Sequence, residues 1–331
     1  MRKIAIIGGG SWGTALASVL AHNQNEVLIY LRDKNTCEEI NNNHTNTRYL
    51  PDVILNEKIT ATTNLSDISG KDFIVFAVPT QNIRSVLEKM KGIISSDALL
   101  VNVAKGIEMG TDLRISEIFK EYFDENNFIA LSGPTHAEEV AIKMPTAIVA
   151  ASTSNQAMEE VQRVFMNEYF RVYTNDDVIG VELGGATKNI LALGLGIADG
   201  LGYGDNTKAA IMTRGMHEIA RLGVAMGGKP ETFYGLTGMG DLIVTSTSVH
   251  SRNRRAGILI GKGYSVEETE SAVNMVVEGI KTCSAVYEIT KKIDIEMPIT
   301  NEIYNVLFNN YDLTKSVERL MERNKKREVL Y

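Results

Sequence analysis

A chain of 331 residues is long enough for two ordinary domains, each with a core of its own. Hydrophobic residues at 44 % and charged residues at 23 % give a globular balance and exclude a disordered chain. A formal net charge of -7 excludes a general nucleic-acid binder or a protein held on anionic membranes, since both need broad positive potential. A local basic pocket for a small anion stays compatible with that charge. In chain order, apolar periodicity predicts a strand over Lys3–Gly8, a helix over Trp12–His22, a strand over Glu26–Leu31 and a helix over Asp33–Asn42. Short apolar runs bounded by turn residues follow at Lys58–Thr62, Asp72–Val78, Ala98–Val103, Phe128–Leu131 and Thr146–Ala151. Helical spacing fills the gaps at Gln81–Lys91 and Leu113–Phe123. Strands alternating with helices imply a mainly parallel, doubly wound sheet covered on both faces.

After about Val172 the β signal fades. Helices are expected over Asp177–Ile197, Ala209–Met226, Val266–Met275, Ser284–Lys292, Asn301–Asn309 and Leu313–Arg323, with glycine-rich breaks at Gly200–Asp205 and Tyr234–Asp241. The fold class is therefore α/β, a doubly wound N-terminal sheet followed by an all-α C-terminal domain. The boundary falls near residues 174–182, giving domains 1–178 and 179–331 with one helix running between them.

No apolar run is read as long enough to span a bilayer. Met1-Arg2-Lys3 followed by Ile4-Ala5-Ile6-Ile7 resembles a signal peptide only until the glycines that follow. Cys37 and Cys283 lie far apart and outside any CxxC, which reads as two reduced thiols in a cytoplasmic protein. His217-Glu218 begins like a zinc-protease helix, but Arg221 stands where the second histidine would be, and no metal site is expected.

Gly8-x-Gly10-x-x-Gly13 directly follows the first strand and opens the first helix. The first glycine allows a tight turn, the second lets backbone approach a pyrophosphate, and the third packs helix against sheet with its N-terminal N–H groups aimed at the phosphates. A glycine turn without a ligand is the alternative, but a βαβ opening is the context a Rossmann-like dinucleotide site requires. Past the second strand come Arg32 and Asp33. Arg32 could pair with a 2′-phosphate, which leans towards NADPH, whereas Asp33 could serve as the ribose acid of an NAD site if the strand ends one residue later. Both could also be solvated charges.

Lys188 sits in Glu182-Leu183-Gly184-Gly185-Ala186-Thr187-Lys188-Asn189-Ile190-Leu191-Ala192, an apolar, small-residue helix. Desolvation there would suit it to acid/base work, and a snorkelling lysine at a domain junction is the equal alternative. Lys105 follows the fifth predicted strand, where doubly wound sheets hold ligands, although an exposed loop lysine reads the same way. Ser132-Gly133-Pro134-Thr135-His136-Ala137 follows the next strand and opens a helix; His136 reads as a helix-start polar group rather than a base. Ser251-Arg252-Asn253-Arg254-Arg255 is the densest basic cluster, and arginine forks suit a phosphate, while a solvated helix start is the plainer reading.

These residues carry a resemblance. The chain resembles the bacterial type of NAD(P)-dependent glycerol-3-phosphate dehydrogenase at Gly8–Ala17, Phe76-Ala77-Val78-Pro79, Ala104–Glu108, Leu131–Thr135, Gly185–Asn189, Leu236–Leu242, Ser251-Arg252-Asn253 and Val277-Glu278-Gly279, in the family's order. The resemblance implies reduction of dihydroxyacetone phosphate to sn-glycerol 3-phosphate with NADPH or NADH. It makes Lys188 the acid/base, Lys105 a second active-site lysine near the substrate and cofactor, and Asp241 the carboxylate that would orient Lys188 or the substrate hydroxyls. Gly133, Thr135, Asn189, Ser251, Arg252 and Asn253 would join Lys105, Lys188 and Asp241 around the substrate. Gly8, Gly10, Ser11, Trp12, Gly13, Arg32, Tyr49, Lys105, Ala137, Arg252, Val276 and Glu278 would contact the dinucleotide. Thr187 departs from the aliphatic residue expected before the lysine, and its hydroxyl could change that environment slightly. A small phosphorylated substrate, no nucleic acid and no membrane span are implied, with a homodimer left open. Related reductases of 6-phosphogluconate, 3-hydroxyacids or ketopantoate share the two-domain plan, and a non-catalytic NAD(P)H sensor is the reading from another class. The basic cluster and the motif order speak against the former, and the presence of Lys188, Lys105 and Asp241 against the latter.

Overall fold

The computed structural model of the chain describes residues 1–274, 276–325 and 327–328. It divides into two compact units: Met1–Lys105 with Ile115–Val181, and Gly106–Arg114 with Glu182–Tyr331. The nine-residue segment Gly106–Arg114 thus leaves the first unit and groups with the second.

The first unit carries strands β1 (Lys3–Ile7), β2 (Glu26–Tyr30), β3 (Thr45–Asn46), β4 (Leu50–Ile54), β5 (Ile59–Thr62), β6 (Phe73–Phe76), β7 (Leu99–Asn102), β8 (Phe128–Ser132), β9 (Thr146–Ala151) and β10 (Phe170–Asn175). Its helices are α1 (Ser11–His22), α2 (Lys34–Asn43), α3 (Ile83–Met90), α4 (Ile115–Lys120), α5 (Ala137–Ala141) and α6 (Asn155–Phe165). The main sheet runs β10-β9-β8-β7-β6-β1-β2-β5, and β3 and β4 form a separate antiparallel pair. Every main-sheet pairing is parallel except β8 with β9. The strands β5-β2-β1-β6-β7-β8 follow the dinucleotide-binding order, and it reverses between β1 and β6, where ligands bind beyond the strands' carboxyl ends. Ile4–Ile7 and Phe73–Phe76 are buried throughout, as parallel strands covered on both faces must be.

The expected β-α alternation is present in this unit, together with elements the periodicity did not announce: α6, β10 and the β3–β4 pair. Strand β3 has two residues, too few for any period, and in β10, at the sheet edge, only Phe170 and Val172 are buried, with Arg171, Tyr173 and Thr174 exposed.

The long helix α7 (Val178–Gly200) begins in the first unit and continues into the second. By length and composition it could cross a membrane, which corrects the expectation that no such run exists, but 83 % of its apolar window is buried inside the protein. It is a core helix. The second unit continues with α8 (Asp205–Ala225), α9 (Pro230–Phe233), α10 (Asp241–Thr247), α11 (Arg252–Gly261), α12 (Val266–Val273), α13 (Glu278–Ile293), α14 (Pro298–Phe308) and α15 (Leu313–Met321). The predicted end of α12, Met275, lies outside the described residues. Helix α13 starts six residues before the predicted Ser284, because its first turn holds Gly279, a poor helix former, where a Cβ would lie 2.7 Å from the Asn189 oxygen.

Candidate active site

The fingerprint turn is built as its sequence dictates. Gly8 has φ +119°, and a Cβ there would sit 2.5 Å from the Ala77 carbonyl oxygen just past β6. A Cβ on Gly13 would sit 2.1 Å from the Gly8 oxygen, so α1 closes onto the turn only with glycine. Gly10 is different. Its backbone is extended (φ -75°, ψ 178°), and a Cβ would meet nothing within 4 Å. Neither packing nor dihedral strain asks for glycine there, whereas the close approach of a pyrophosphate does. The turn fits a dinucleotide on that ground. Ser11 and Trp12 form the first turn of α1, both half-buried.

Strand β2 ends at Tyr30, and Asp33 serves as the N-cap of α2. Its Oδ1 accepts from the Thr36 backbone N–H at 2.7 Å and the Thr36 hydroxyl at 2.8 Å. Those bonds, with the Arg48 guanidinium nearby, hold the Asp33 carboxyl below its ordinary range. Arg32 lies exposed beside it. The Arg48 guanidinium carbon lies 5.3 Å from the centre of the half-buried Tyr49 ring.

Lys105 follows β7, and its Nζ donates to the Gly133 carbonyl at 2.8 Å. The Thr135 hydroxyl donates to the same oxygen at 3.1 Å. A Cβ on Gly133 would lie 3.0 Å from the Ile148 Cα on β9, so this loop hugs the sheet. Lys105, Gly133 and Thr135 are thus brought together at the carboxyl edge of the sheet. Ala137 opens α5, and His136 precedes it without capping the helix through its side chain.

In the second unit Lys188 is only 5 % exposed on α7. Its Nζ donates to Asp241 Oδ1 at 2.9 Å and to Thr245 Oγ1 at 2.5 Å. The Thr245 hydroxyl in turn donates to Asp241 Oδ1 at 3.2 Å. Asp241 is 1 % exposed. A buried ammonium needs a counter-charge and hydrogen-bond partners, and this triangle supplies both. Asp241 is delivered by a π-helical turn over Leu236–Gly240, where the Gly240 N–H donates to the Gly235 oxygen at 3.0 Å. Thr245 is the residue the sequence reading missed. The available signal was its spacing, four residues after Asp241 and so on the same helical face.

Ser251 caps α11 by accepting from the Arg254 backbone N–H at 3.2 Å. Arg252 is exposed in the first turn, while Asn253 is buried. Asn253 donates from Nδ2 to Asn189 Oδ1 at 2.9 Å and accepts at Oδ1 from the Gly279 N–H at 2.9 Å, which ties α11 to α7 and α13. The basic cluster divides: Arg254 is bound to Asp199 at 2.6 Å, so it is not a free phosphate fork. Val276 is exposed and Glu278 half-buried at the start of α13.

Residues 3–158 match the sequence profile of the NAD-dependent glycerol-3-phosphate dehydrogenase N-terminus, and residues 177–318 that of the same family's C-terminus. The chain is 51 % identical over 331 residues to a Clostridium perfringens protein named glycerol-3-phosphate dehydrogenase (NAD(P)+), with 100 % of both chains covered. It is 53 % identical over 332 positions to a Clostridium acetobutylicum protein of the same name, again with 100 % of both covered. The crystal structure of glycerol-3-phosphate dehydrogenase from Coxiella burnetii matches with a TM-score of 0.92 at 37 % identity, over 97 % of this chain and 99 % of that one. With both halves matched in order, the chain belongs to the NAD-dependent glycerol-3-phosphate dehydrogenase family.

Proposed function

We infer that this chain is an oxidoreductase that reduces dihydroxyacetone phosphate to sn-glycerol 3-phosphate, reversibly, and so supplies glycerol 3-phosphate for phospholipid synthesis. The observation that carries this reading is the buried Lys188 held by Asp241 and Thr245 in a chain of this family. The Gly8–Gly13 turn would hold NAD(P)H, which would supply the hydride for C2 of the substrate. As negative charge develops on the carbonyl oxygen, Lys188 gives it a proton, and in the reverse direction Lys188 takes the proton back. Asp241 and Thr245 fix the position of Nζ, so little reorientation is needed when the substrate arrives. Lys105 adds positive potential, steadied by its bond to the Gly133 carbonyl. Gly133 and Thr135 contact substrate beside it.

Ser251, Arg252 and Asn253 take the phosphate, with Arg252 giving charge-assisted bonds and Asn189 holding Asn253 in place. The phosphate provides binding energy remote from the reacting carbon, which orients the carbonyl. Ser11, Trp12, Tyr49, Ala137, Val276 and Glu278 complete the dinucleotide contacts. NADPH is preferred to NADH in this reading, because Arg32, just past β2, is exposed and suited to pair with a 2′-phosphate, while Asp33 is occupied by its cap of α2. Two unpaired cysteines, Cys37 and Cys283, suit a reducing cytoplasm. The deciding assay follows NADPH oxidation, then NADH oxidation, with dihydroxyacetone phosphate. Turnover with NADPH at the higher kcat/KM is expected, and no turnover with either cofactor overturns the assignment.

A further inference from the structure

The β3–β4 pair is absent from every motif above, yet it holds the fingerprint turn. Asn46 in β3 is 0 % exposed. Its Nδ2 donates to the Gly9 carbonyl at 3.0 Å and to the Thr14 hydroxyl at 2.8 Å. Gly9 is the middle of the glycine turn, and Thr14 lies in the opening turns of α1. Asn46 stands 37 positions away from Gly9 along the chain, so this is a tertiary tie and not part of the turn's own local bonding.

The amide cannot be turned over. With Oδ1 and Nδ2 exchanged, an acceptor would face the Gly9 carbonyl oxygen. In the orientation adopted, Oδ1 is buried and accepts no hydrogen bond from the described residues. A buried acceptor without a donor is a cost that a purely structural core position could avoid with an apolar side chain. The two donors must therefore serve something that outweighs it. A trans peptide points its C=O and N–H in opposite directions, so tying the Gly9 oxygen to Asn46 turns the Gly10 N–H away from the hairpin. Three glycines in a row otherwise sample many backbone conformers.

We propose that Asn46 is a positioning residue for the dinucleotide: through the Gly9 carbonyl and the Thr14 hydroxyl it holds the Gly8–Gly13 turn ready for the pyrophosphate. The proposal rests on the dinucleotide reading of that turn. If the competent conformer becomes rarer, the apparent dissociation constant rises in the same proportion.

The test is Asn46→Leu, which keeps the branched shape and the number of heavy atoms, removes both donors and also removes the unpartnered acceptor. NADPH affinity is measured by fluorescence titration, the unfolding midpoint without ligand by calorimetry, and the KM for dihydroxyacetone phosphate at saturating NADPH. The expected result is a Kd for NADPH raised about tenfold or more, with the ligand-free midpoint within ~3 °C of the wild type and the substrate KM unchanged. Asn46→Val, which likewise has no donor, gives the same reading where the leucine variant does not fold. An unchanged Kd in a folded variant, even with a lowered midpoint, makes Asn46 a mere strut and overturns the inference alone. A wild-type chain that binds neither NADPH nor NADH overturns the dinucleotide reading and the inference with it.

Discussion

A lysine at 5 % exposure stays charged only because something nearby rewards the charge, and Asp241 and Thr245 are that something. Lys188→Met preserves the length and apolar burial but removes the proton donor. Turnover is expected to fall by about 10³-fold or more, with NADPH affinity unchanged in the same titration, and near-normal turnover would remove Lys188 from its role. Arginines 252 and 254 are a second case where neighbours in sequence part company in space. Arg252→Ala is expected to raise the KM for dihydroxyacetone phosphate by about tenfold or more, the worth of one lost charge-assisted bond. Arg254→Ala should leave that KM near the wild-type value and lower stability by about 1 kcal/mol, since its pair with Asp199 is only partly buried. Steady-state kinetics beside urea unfolding separates the two. The sequence shows a basic cluster and a lysine among small residues, because residue type alone carries those signals. It does not show that Arg254 is paired with Asp199. That depends on which side of α11 meets α7, and it hid Thr245 among the ordinary polar residues of a short helix.

Helices α7 and α11 cross with their backbones in contact. A Cβ on Gly196 would lie 2.2 Å from the Arg254 oxygen, and one on Gly257 would lie 2.1 Å from the Leu193 oxygen. That crossing sets where the first turn of α11, with Ser251, Arg252 and Asn253, stands relative to Lys188 and Asn189. Gly257→Ala forces the helices apart and should cost about 1–3 kcal/mol in a denaturation experiment, with a raised substrate KM as a separate readout. The start of α14 has another dependence. Glu218 on α8 accepts from the backbone N–H groups of Ile299 at 2.8 Å and Thr300 at 3.2 Å, and burial pushes its carboxyl up to about 7. Its folded value lies above the unfolded one near 4.5, so the folded state binds the extra proton between them. Stability from this group is complete below about pH 4.5 and is lost as pH rises through about 7. Glu218→Gln should flatten the fall in unfolding free energy across that window; a slope identical to the wild type's would remove Glu218 as its source. Main-sheet strands of four or more apolar residues were legible, as were most of the long helices. The β3–β4 pair and β10 were not, because two residues have no period and an edge strand alternates too loosely to stand out.

The whole chain reads as a doubly wound sheet and a helical unit because strand–helix alternation stops where α7 begins, and this part of the fold was visible in the order of patterns alone. The tertiary ties within each unit were not, since they join positions far apart in sequence. Ligand linkage acts at this scale. NADPH at a hundredfold excess over its Kd should stabilise the folded chain by about 2.7 kcal/mol, seen as a raised calorimetric midpoint. Gly10→Ala has room for its methyl group, so the ligand-free midpoint should not move, yet the NADPH-dependent rise should vanish. A rise equal to the wild type's would place the pyrophosphate elsewhere. The excursion of Gly106–Arg114 has a practical bearing on how this gene can be divided. Arg114 is paired with Glu182 at 2.8 Å and Asp112 with Lys292 at 2.6 Å, both partners lying beyond residue 181. A gene fragment ending at Val181 would therefore carry a peptide whose anchors are encoded on the other fragment, and the remaining fragment would lack a piece of itself. The two halves are not interchangeable cassettes, and recombination that swaps one for a distant homologue's must also carry these nine residues across.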